Sequence, residues 1–368
     1  MKEVLNQLVN FGFLQSVFLL LIFLVPAKKE KNINSYMLIL IMITLMGLIG
    51  KIVYNSGIYG SNFRFIAFSE FSALLFGPTI YLFTESILHK TKYTHSNLFH
   101  YVPGVAYSLF IVVYFIIPSD AIILSRIKTG ELQRVIYACH AVGLLVNITY
   151  WFKGFKVFVN FEKEMKKEAS FEVHIHFMRN FLFLTGFCLL VWTVLFVTSF
   201  FGFPMLERNA RPYIWILLTL IILFITYYLM LQPQVLRSIP EIKSKKYHQS
   251  KLSIEDMEIL KVKLDKLMLE KKPYLNNKLL KKELAELLGI NGPELARLLN
   301  ENVGMNFFEY INYFRIKEFV NLAKTEKGKQ LTFYGLAQEA GFNSKTTFNK
   351  SFKKLMGVSP SVYFNQKI

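Results

Sequence analysis

The sequence predicts an all-α protein of 368 residues. A seven-helix transmembrane bundle comes first, and a cytoplasmic, two-lobed domain with two helix-turn-helix motifs follows. Three observations carry this expectation. Seven apolar runs, each near the ~20 residues that cross hydrocarbon as a helix, occupy the first part of the chain. Mean hydropathy is +0.35, and 36 phenylalanines help bring the aromatic share to 16%, more apolar than soluble domains usually are. Near the C-terminus, a short amphipathic helix, a glycine turn and a second helix with a polar outer face occur twice.

The boundaries follow from composition. Residues 1–232 form the membrane-embedded sensor part, 233–272 a juxtamembrane linker with an amphipathic helix, and 273–368 the basic domain. Formal net charge is +18, of which residues 1–231 hold +8 and the shorter remainder +10. That balance suits anionic partners, either nucleic acid or lipid headgroups. Cys139 and Cys188 both fall in apolar runs without metal-ligand spacing. There is no C-x-x-C, H-E-x-x-H, G-x-S-x-G or phosphate-binding glycine loop. The sequence thus gives no reason to expect an enzyme, a cofactor or a metal.

The runs fall at about Leu8–Val25, Ile33–Tyr54, Phe65–Leu88, Leu98–Ile117, Gln133–Phe152, Phe177–Phe200 and Tyr213–Leu231. The lysines that follow the first run (Lys28, Lys29 and Lys31) favour a retained anchor over a cleaved signal peptide. Loops after runs 1, 3 and 5 are richer in lysine than those on the other side, most clearly Lys153, Lys156, Lys163, Lys166 and Lys167. By the positive-inside rule the N-terminus is outside and the C-terminal domain cytoplasmic, at the inner membrane.

Ionisable residues inside apolar runs are candidates for function. Lys51, Glu70 and His140 all fall toward the outer side in this topology. They form either a polar pocket that senses a small molecule or envelope condition, or a structural polar cluster. Gly77-Pro78 is expected to kink the third run or end a half-helix there. Tyr54, Tyr93, Tyr101, Trp151, Tyr213 and Trp215 read as interfacial anchors. The fifth loop, Lys153–His176, is read as a solvated positive-inside loop, with a helical extension or an amphipathic segment on lipid as alternatives.

Residues Ser238–Ser250 form the polar linker. Ser253 with Asp256 makes a capping pair, and Ile254, Met257, Leu260, Leu264, Leu267 and Met268 share one face of the helix that follows. That stripe either docks on its own domain or pairs with a second copy, which leaves a homodimer open. The first helix-turn-helix runs from Asn277 to about Asn302. Gly289 ends its first helix, Pro293 opens its second, and Pro293, Glu294, Arg297 and Asn300 face outward. A long helix, apolar around much of its circumference, spans about Asn306–Lys324 as a spacer. In the second motif, from Leu331 to Met356, Gly341 makes the turn and Asn343 or Ser344 caps the recognition helix. Phe348, Phe352 and Leu355 face in. Ser344, Lys345, Thr346, Thr347, Asn349, Lys350 and Lys353 face out as a basic, hydrogen-bonding surface of the kind that enters a major groove.

These residues carry a family resemblance. Leu284-Ala285, Leu288-Gly289, Leu298-Leu299, Gly304 and Arg315-Ile316 are followed by Leu336-Ala337, Ala340-Gly341-Phe342, Phe348, Phe352-Lys353-Lys354, Gly357, Ser359-Pro360 and Tyr363. Together they resemble the AraC/XylS DNA-binding domain over about a hundred residues, the second half being the more specific. A looser likeness, on Phe76-Gly77-Pro78 and Tyr81, is to the multi-span sensors fused to such domains in Bacteroidetes-type regulators. The resemblance implies promoter DNA as a partner, two recognition helices in successive major grooves, and activation through RNA polymerase. Lys353 and Lys354 are then expected at phosphate. The sequence departs from the pattern at Ala296, where serine is usual, at Phe319, where alanine is common, and at Phe364, where arginine is common. Glu294 adds an acid to the first recognition helix. The resulting expectation is a membrane-bound one-component transcription regulator. The alternative, a transporter or membrane enzyme with a basic regulatory tail, predicts a continuous polar path through the membrane.

Overall fold

A computed structural model describes residues 2–24, 31–56, 64, 67–91, 94–170, 176–201, 204–231 and 253–365. The linker Ser238–Ser250, the loop residues Lys28, Lys29 and Tyr93, and the side chains of Lys51, Tyr54 and Tyr213 lie outside the described residues. All regular structure described is helical, apart from one isolated antiparallel bridge between Ala169 and Leu280. The chain divides into two compact units. One comprises Met1–Val159 and Ile175–Glu241, the other Asn160–His174 and Ile242–Ile368.

The first unit holds α1 (Lys2–Leu24), α2 (Lys31–Ser56), α3 (Ala67–Glu70), α4 (Phe76–His89), α5 (Val102–Ile111), α6 (Asp120–Lys128), most of α7 (Glu131–Glu168), α8 (His176–Phe200) and α9 (Pro204–Leu231). A 3-10 stretch, His95–Tyr101, and a π stretch, Val112–Ile116, extend α5 at its two ends. Among the described residues, three helical runs are long and apolar enough to cross a membrane: His95–Ile116, α7 and α8. Shorter apolar stretches lie in α1 (Asn6–Ile22), α2 (Ser35–Ile49) and α9 (Ile214–Tyr228). The α9 helix packs on α1, α2 and α8.

The third apolar run is not one helix. It breaks over residues 71–75, between α3 and α4, and Pro78 sits in the first turn of α4, where its missing N–H costs nothing. Asn147 of α7 covers the break. Its Oδ1 accepts from the Gly77 N–H at 2.6 Å, and its Nδ2 donates to Ala73 O at 2.8 Å and to Gly143 O at 2.7 Å. A Cβ on Gly77 would lie 2.8 Å from the Asn147 Cα, so the close approach of α4 to α7 requires glycine there. Trp215 is buried with Val9 and Leu48, so it packs in a core instead of anchoring at an interface. Its place on the inward face of α9 decides this.

The fifth loop is also not a solvated loop through its first half. The α7 helix continues to Glu168, and Phe161, Met165 and Ala169 are buried. The aromatic and aliphatic residues interleaved among its lysines recur at helical spacing and bury one face.

The second unit holds α10 (Ile254–Glu270), α11 (Lys281–Leu288), α12 (Gly292–Leu298), α13 (Phe307–Ala323), α14 (Glu326–Gln330), α15 (Phe333–Glu339), α16 (Lys345–Met356) and α17 (Pro360–Asn365). Ser253 and Asp256 form the expected capping box on α10. The stripe of Met257, Leu260, Leu264, Leu267 and Met268 buries itself against Leu284, Leu295, Leu298 and Ile311, so it docks within its own unit. Leu279 and Leu280 precede α11, because Leu280 is its N-cap. A second core forms on the other side of α13. Phe319 meets Phe348 in a tilted contact and Phe352 and Phe364 edge to face, and Phe342 plugs the core. The α13 helix therefore serves both cores, which explains why apolar residues surround it.

Candidate nucleic-acid interface and polar cavity

In the first helix-turn-helix, α11 and α12 pack at their turn, and Leu295, Leu298 and Leu299 face the core. Asn291 caps α12. Its Oδ1 accepts the Glu294 N–H at 2.9 Å, while Glu294 Oε2 accepts the Asn291 N–H at 2.9 Å. The acid in this recognition helix, Glu294, is half of a capping box, satisfying backbone donors at the helix start. Pro293 lies in the first turn of α12. Arg297 pairs with Glu301 one turn on, at 2.9 Å, and Asn300 is exposed. Ala296 is buried, so the position where serine is usual contributes packing.

In the second motif, α15 and α16 flank the turn at Gly341. That residue has φ +93, and an added Cβ would meet Tyr274 O at 2.4 Å. Only glycine fits both the backbone conformation and the approach. Ser344 is the N-cap of α16, its Oγ accepting from the Thr347 N–H at 3.4 Å. Lys345, Thr346, Asn349, Lys350, Lys353 and Lys354 are exposed. This face has four lysines and, among α16 residues, no acid.

Two expectations fail here. Thr347 does not face outward; it is 2% exposed, and its hydroxyl has no partner among the described residues. With Ser344 as N-cap, Thr347 stands beside Phe348 and one turn before Ser351, on the edge of the helix that meets α13. Leu355, expected inside, is instead exposed. Lys354 is engaged rather than open, bonded to Glu309 at the start of α13. The Lys354 ammonium, aided by the Asn306 N–H, holds the Glu309 carboxyl below its ordinary range against the opposing effect of burial.

Behind these motifs, Arg315 of α13 is 1% exposed. Its Nε donates to Tyr274 O (2.8 Å). Nη1 donates to Ser170 O (2.6 Å) and Asn312 Oδ1 (3.3 Å), and Nη2 to Ser170 Oγ (3.0 Å) and Asn276 O (2.7 Å). All these acceptors are neutral. Burial pushes the guanidinium down to about 9, which leaves it charged at neutral pH. Its carbon also lies 5.8 Å from the Phe342 ring centroid. Sequence reading missed this hub, since arginine on a helix through a core shows no pattern that names its acceptors.

In the first unit, two of the three sensing candidates come together. His140 Nε2 lies 3.3 Å from Glu70 Oε2, which also accepts from the Tyr107 hydroxyl at 3.0 Å. Glu70 and His140 line a cavity of about 180 Å³ with Asn147, Thr185, Cys188 and Trp192. Its lining is mostly apolar, with a few polar groups brought together by separate helices. Lys51, the third candidate, lies on α2, and its side chain is outside the described residues. Among the described residues, no group of three or more His, Cys, Asp or Glu is placed to hold a metal.

Two helix-turn-helix lobes with a basic second recognition helix define the C-terminal part as a DNA-binding domain of the type found in transcription regulators. Comparison with known families agrees and is more particular. The family described as a helix-turn-helix domain, of the AraC type, matches residues 284–366, which supports an AraC/XylS-like DNA-binding domain there. No curated protein and no solved structure matches the chain.

Proposed function

We propose that this protein is a membrane-bound one-component transcription regulator, controlled by a signal sensed in its apolar part. The observation that carries the reading is the pairing, in one chain, of an AraC-type helix-turn-helix domain with helices long and apolar enough to cross a membrane. In this reading the seven apolar runs anchor the chain in the inner membrane, N-terminus outside, and the lysine-rich loops hold the DNA-binding domain in the cytoplasm. Lys345, Thr346, Asn349 and Lys350 read bases, Lys353 and Lys354 meet phosphate, and Pro293, Arg297 and Asn300 act in the neighbouring groove. RNA polymerase is the downstream partner. A second copy of the chain on paired sites would add effective concentration. The Glu70–His140 cavity is the place where a small molecule would act, and Lys51 is kept as a candidate beside it.

The test uses the full chain in lipid vesicles, incubated with random-sequence DNA duplexes. Enrichment of a two-block sequence is the expected result. Salt-sensitive binding without any enriched sequence would defeat the reading of a specific regulator. For sensing, Glu70→Gln and His140→Ala strains are compared with wild type by transcript profiling. An unchanged response of every regulated transcript would remove the cavity from the proposal.

A further inference from the structure

The DNA-binding unit is assembled from two separated pieces of chain, and the smaller, Asn160–His174, comes from the middle of the sequence. Its described residues end in three successive ties to the larger piece. Glu168 bonds to Lys281 at the start of α11, and that lysine side chain is only 5% exposed. Ala169 pairs with Leu280 as a β-bridge. Ser170 donates to Leu279 O through its N–H (3.1 Å) and its hydroxyl (2.7 Å), and accepts from Arg315 through both its oxygens. The same Arg315 holds the turn that precedes the first motif, through Tyr274 O and Asn276 O, and lies against Phe342 of the second. On the other side, Lys166 joins Lys350 and Lys354 of α16 in lining a cleft with Glu309 and Asn312. One short segment thus reaches both lobes.

We infer that Glu168–Ser170 is the positioning contact that sets the first helix-turn-helix against the second, and so the control point of DNA recognition. The inference rests on the proposed DNA-binding function and names its regulation. Its physical basis is the buried guanidinium. Arg315 has no carboxylate partner among its hydrogen bonds, so its charge is tolerated only while its oxygens stay in place, and Ser170 supplies two of them. Moving the segment moves Leu279, Leu280 and Lys281 directly, and these lead into the scaffold helix of the first motif. The Arg315 side chain meets the second motif through a ring face and the close turn at Gly341, with no hydrogen bond to it among the described residues. Disturbance of the segment should therefore reach the first recognition helix more than the second.

The experiment uses the full chain in vesicles and the two-block duplex that wild type enriches. Arg297→Ala assigns one block to α12. Glu168→Lys should weaken binding of the two-block duplex about tenfold or more, because it sets a second cation against the buried Lys281. Binding of a duplex with only the α16 block should stay within about twofold of wild type, as expected where the α16 contacts are untouched. The charge-swapped double variant E168K/K281E should restore two-block binding, which a merely unfolded domain would not do. Equal weakening on both duplexes, no weakening on either, or failure of the double variant to restore binding would each overturn the inference. Enrichment of no sequence by wild type would instead remove the DNA-binding reading, and the inference with it.

Discussion

Phe319 and Phe364 meet edge to face, with ring centroids 5.9 Å apart and planes at 78°. They stand at the two positions where the family resemblance expects alanine and arginine. The two departures are thus in contact, and Phe333 joins them at 5.4 Å from Phe364. Where arginine is common in the resemblance, this chain places aromatic packing in the second lobe. Phe319→Ala should cost about 3–5 kcal/mol, because the ring is fully buried. A double-mutant cycle with Phe364→Ala should show a coupling of about 0.5–1.5 kcal/mol. Denaturant unfolding of the full chain in detergent measures both, and additive effects would separate the two residues.

Asn147→Ala removes the group that bridges the α3–α4 break. The Gly77 N–H and the Ala73 carbonyl then lose a partner in an apolar setting, at a cost of about 1–3 kcal/mol. A lower Tm of the detergent-solubilised chain is the expected observation, and an unchanged Tm would show that the break does not depend on this side chain.

Gly341→Ala should destabilise the DNA-binding unit by at least about 1–2 kcal/mol from the left-handed backbone alone. The contact with Tyr274 O adds to this, since backbone on both sides must shift to admit a methyl group. Loss of DNA binding together with earlier unfolding of this unit, followed by limited proteolysis, is the check.

Acid should loosen the α13–α16 contact. The Glu309 carboxyl is held below its ordinary range by Lys354, so its folded pKa lies below the unfolded one. Such a group contributes stability above the unfolded carboxylate pKa and loses that contribution as pH falls through the folded value. Glu309→Gln should therefore lower stability at neutral pH, with the difference from wild type shrinking as pH falls below about 4.5, near the ordinary Glu value. Thermal unfolding across an acid series measures it. The same substitution frees Lys354 for phosphate and should steepen the salt dependence of DNA binding.

On α16, base reading and phosphate contact should separate. Lys350→Ala is expected to cost about 1–3 kcal/mol of binding and to relax preference at one base position, while Lys353→Ala should lower the salt slope by about 1 without changing the enriched sequence. Thr347→Val should leave that sequence unchanged, because the side chain is buried, and removing an unpartnered hydroxyl is neutral or stabilising. Altered base preference in this variant would return Thr347 to the interface.

Much of the DNA-binding domain was legible because local chemistry marks it. Ser253 with Asp256, Asn291 before Pro293, and Gly341 announce helix starts and a turn, each from one residue or two close in sequence. Thr347 was misread because it sits at the border of the helix face, where one residue of phase decides between core and solvent. Glu294 was read by its charge, although its position three residues after Asn291 already fits a cap. Charge inside apolar runs singled out Glu70 and His140, but their contact at 3.3 Å has no signal in the sequence, since the two lie 70 positions apart. The hub at Arg315 had no such signal. Its acceptors are mostly backbone oxygens, which every residue has, and Ser170 lies 145 positions away.

The discontinuous makeup of the DNA-binding unit bears on its portability. A protease cut in the linker after the last apolar run would free a fragment that leaves part of its own interior, the end of α7 and the two residues after it, behind. Arg315 in that fragment would lack the two oxygens of Ser170, and Lys281 its carboxylate. The same holds for gene fusions that borrow only the C-terminal hundred residues. The severable piece on the genetic map is smaller than the folded object, and a graft or a release mechanism that respects the fold must carry Asn160–Ser170 along.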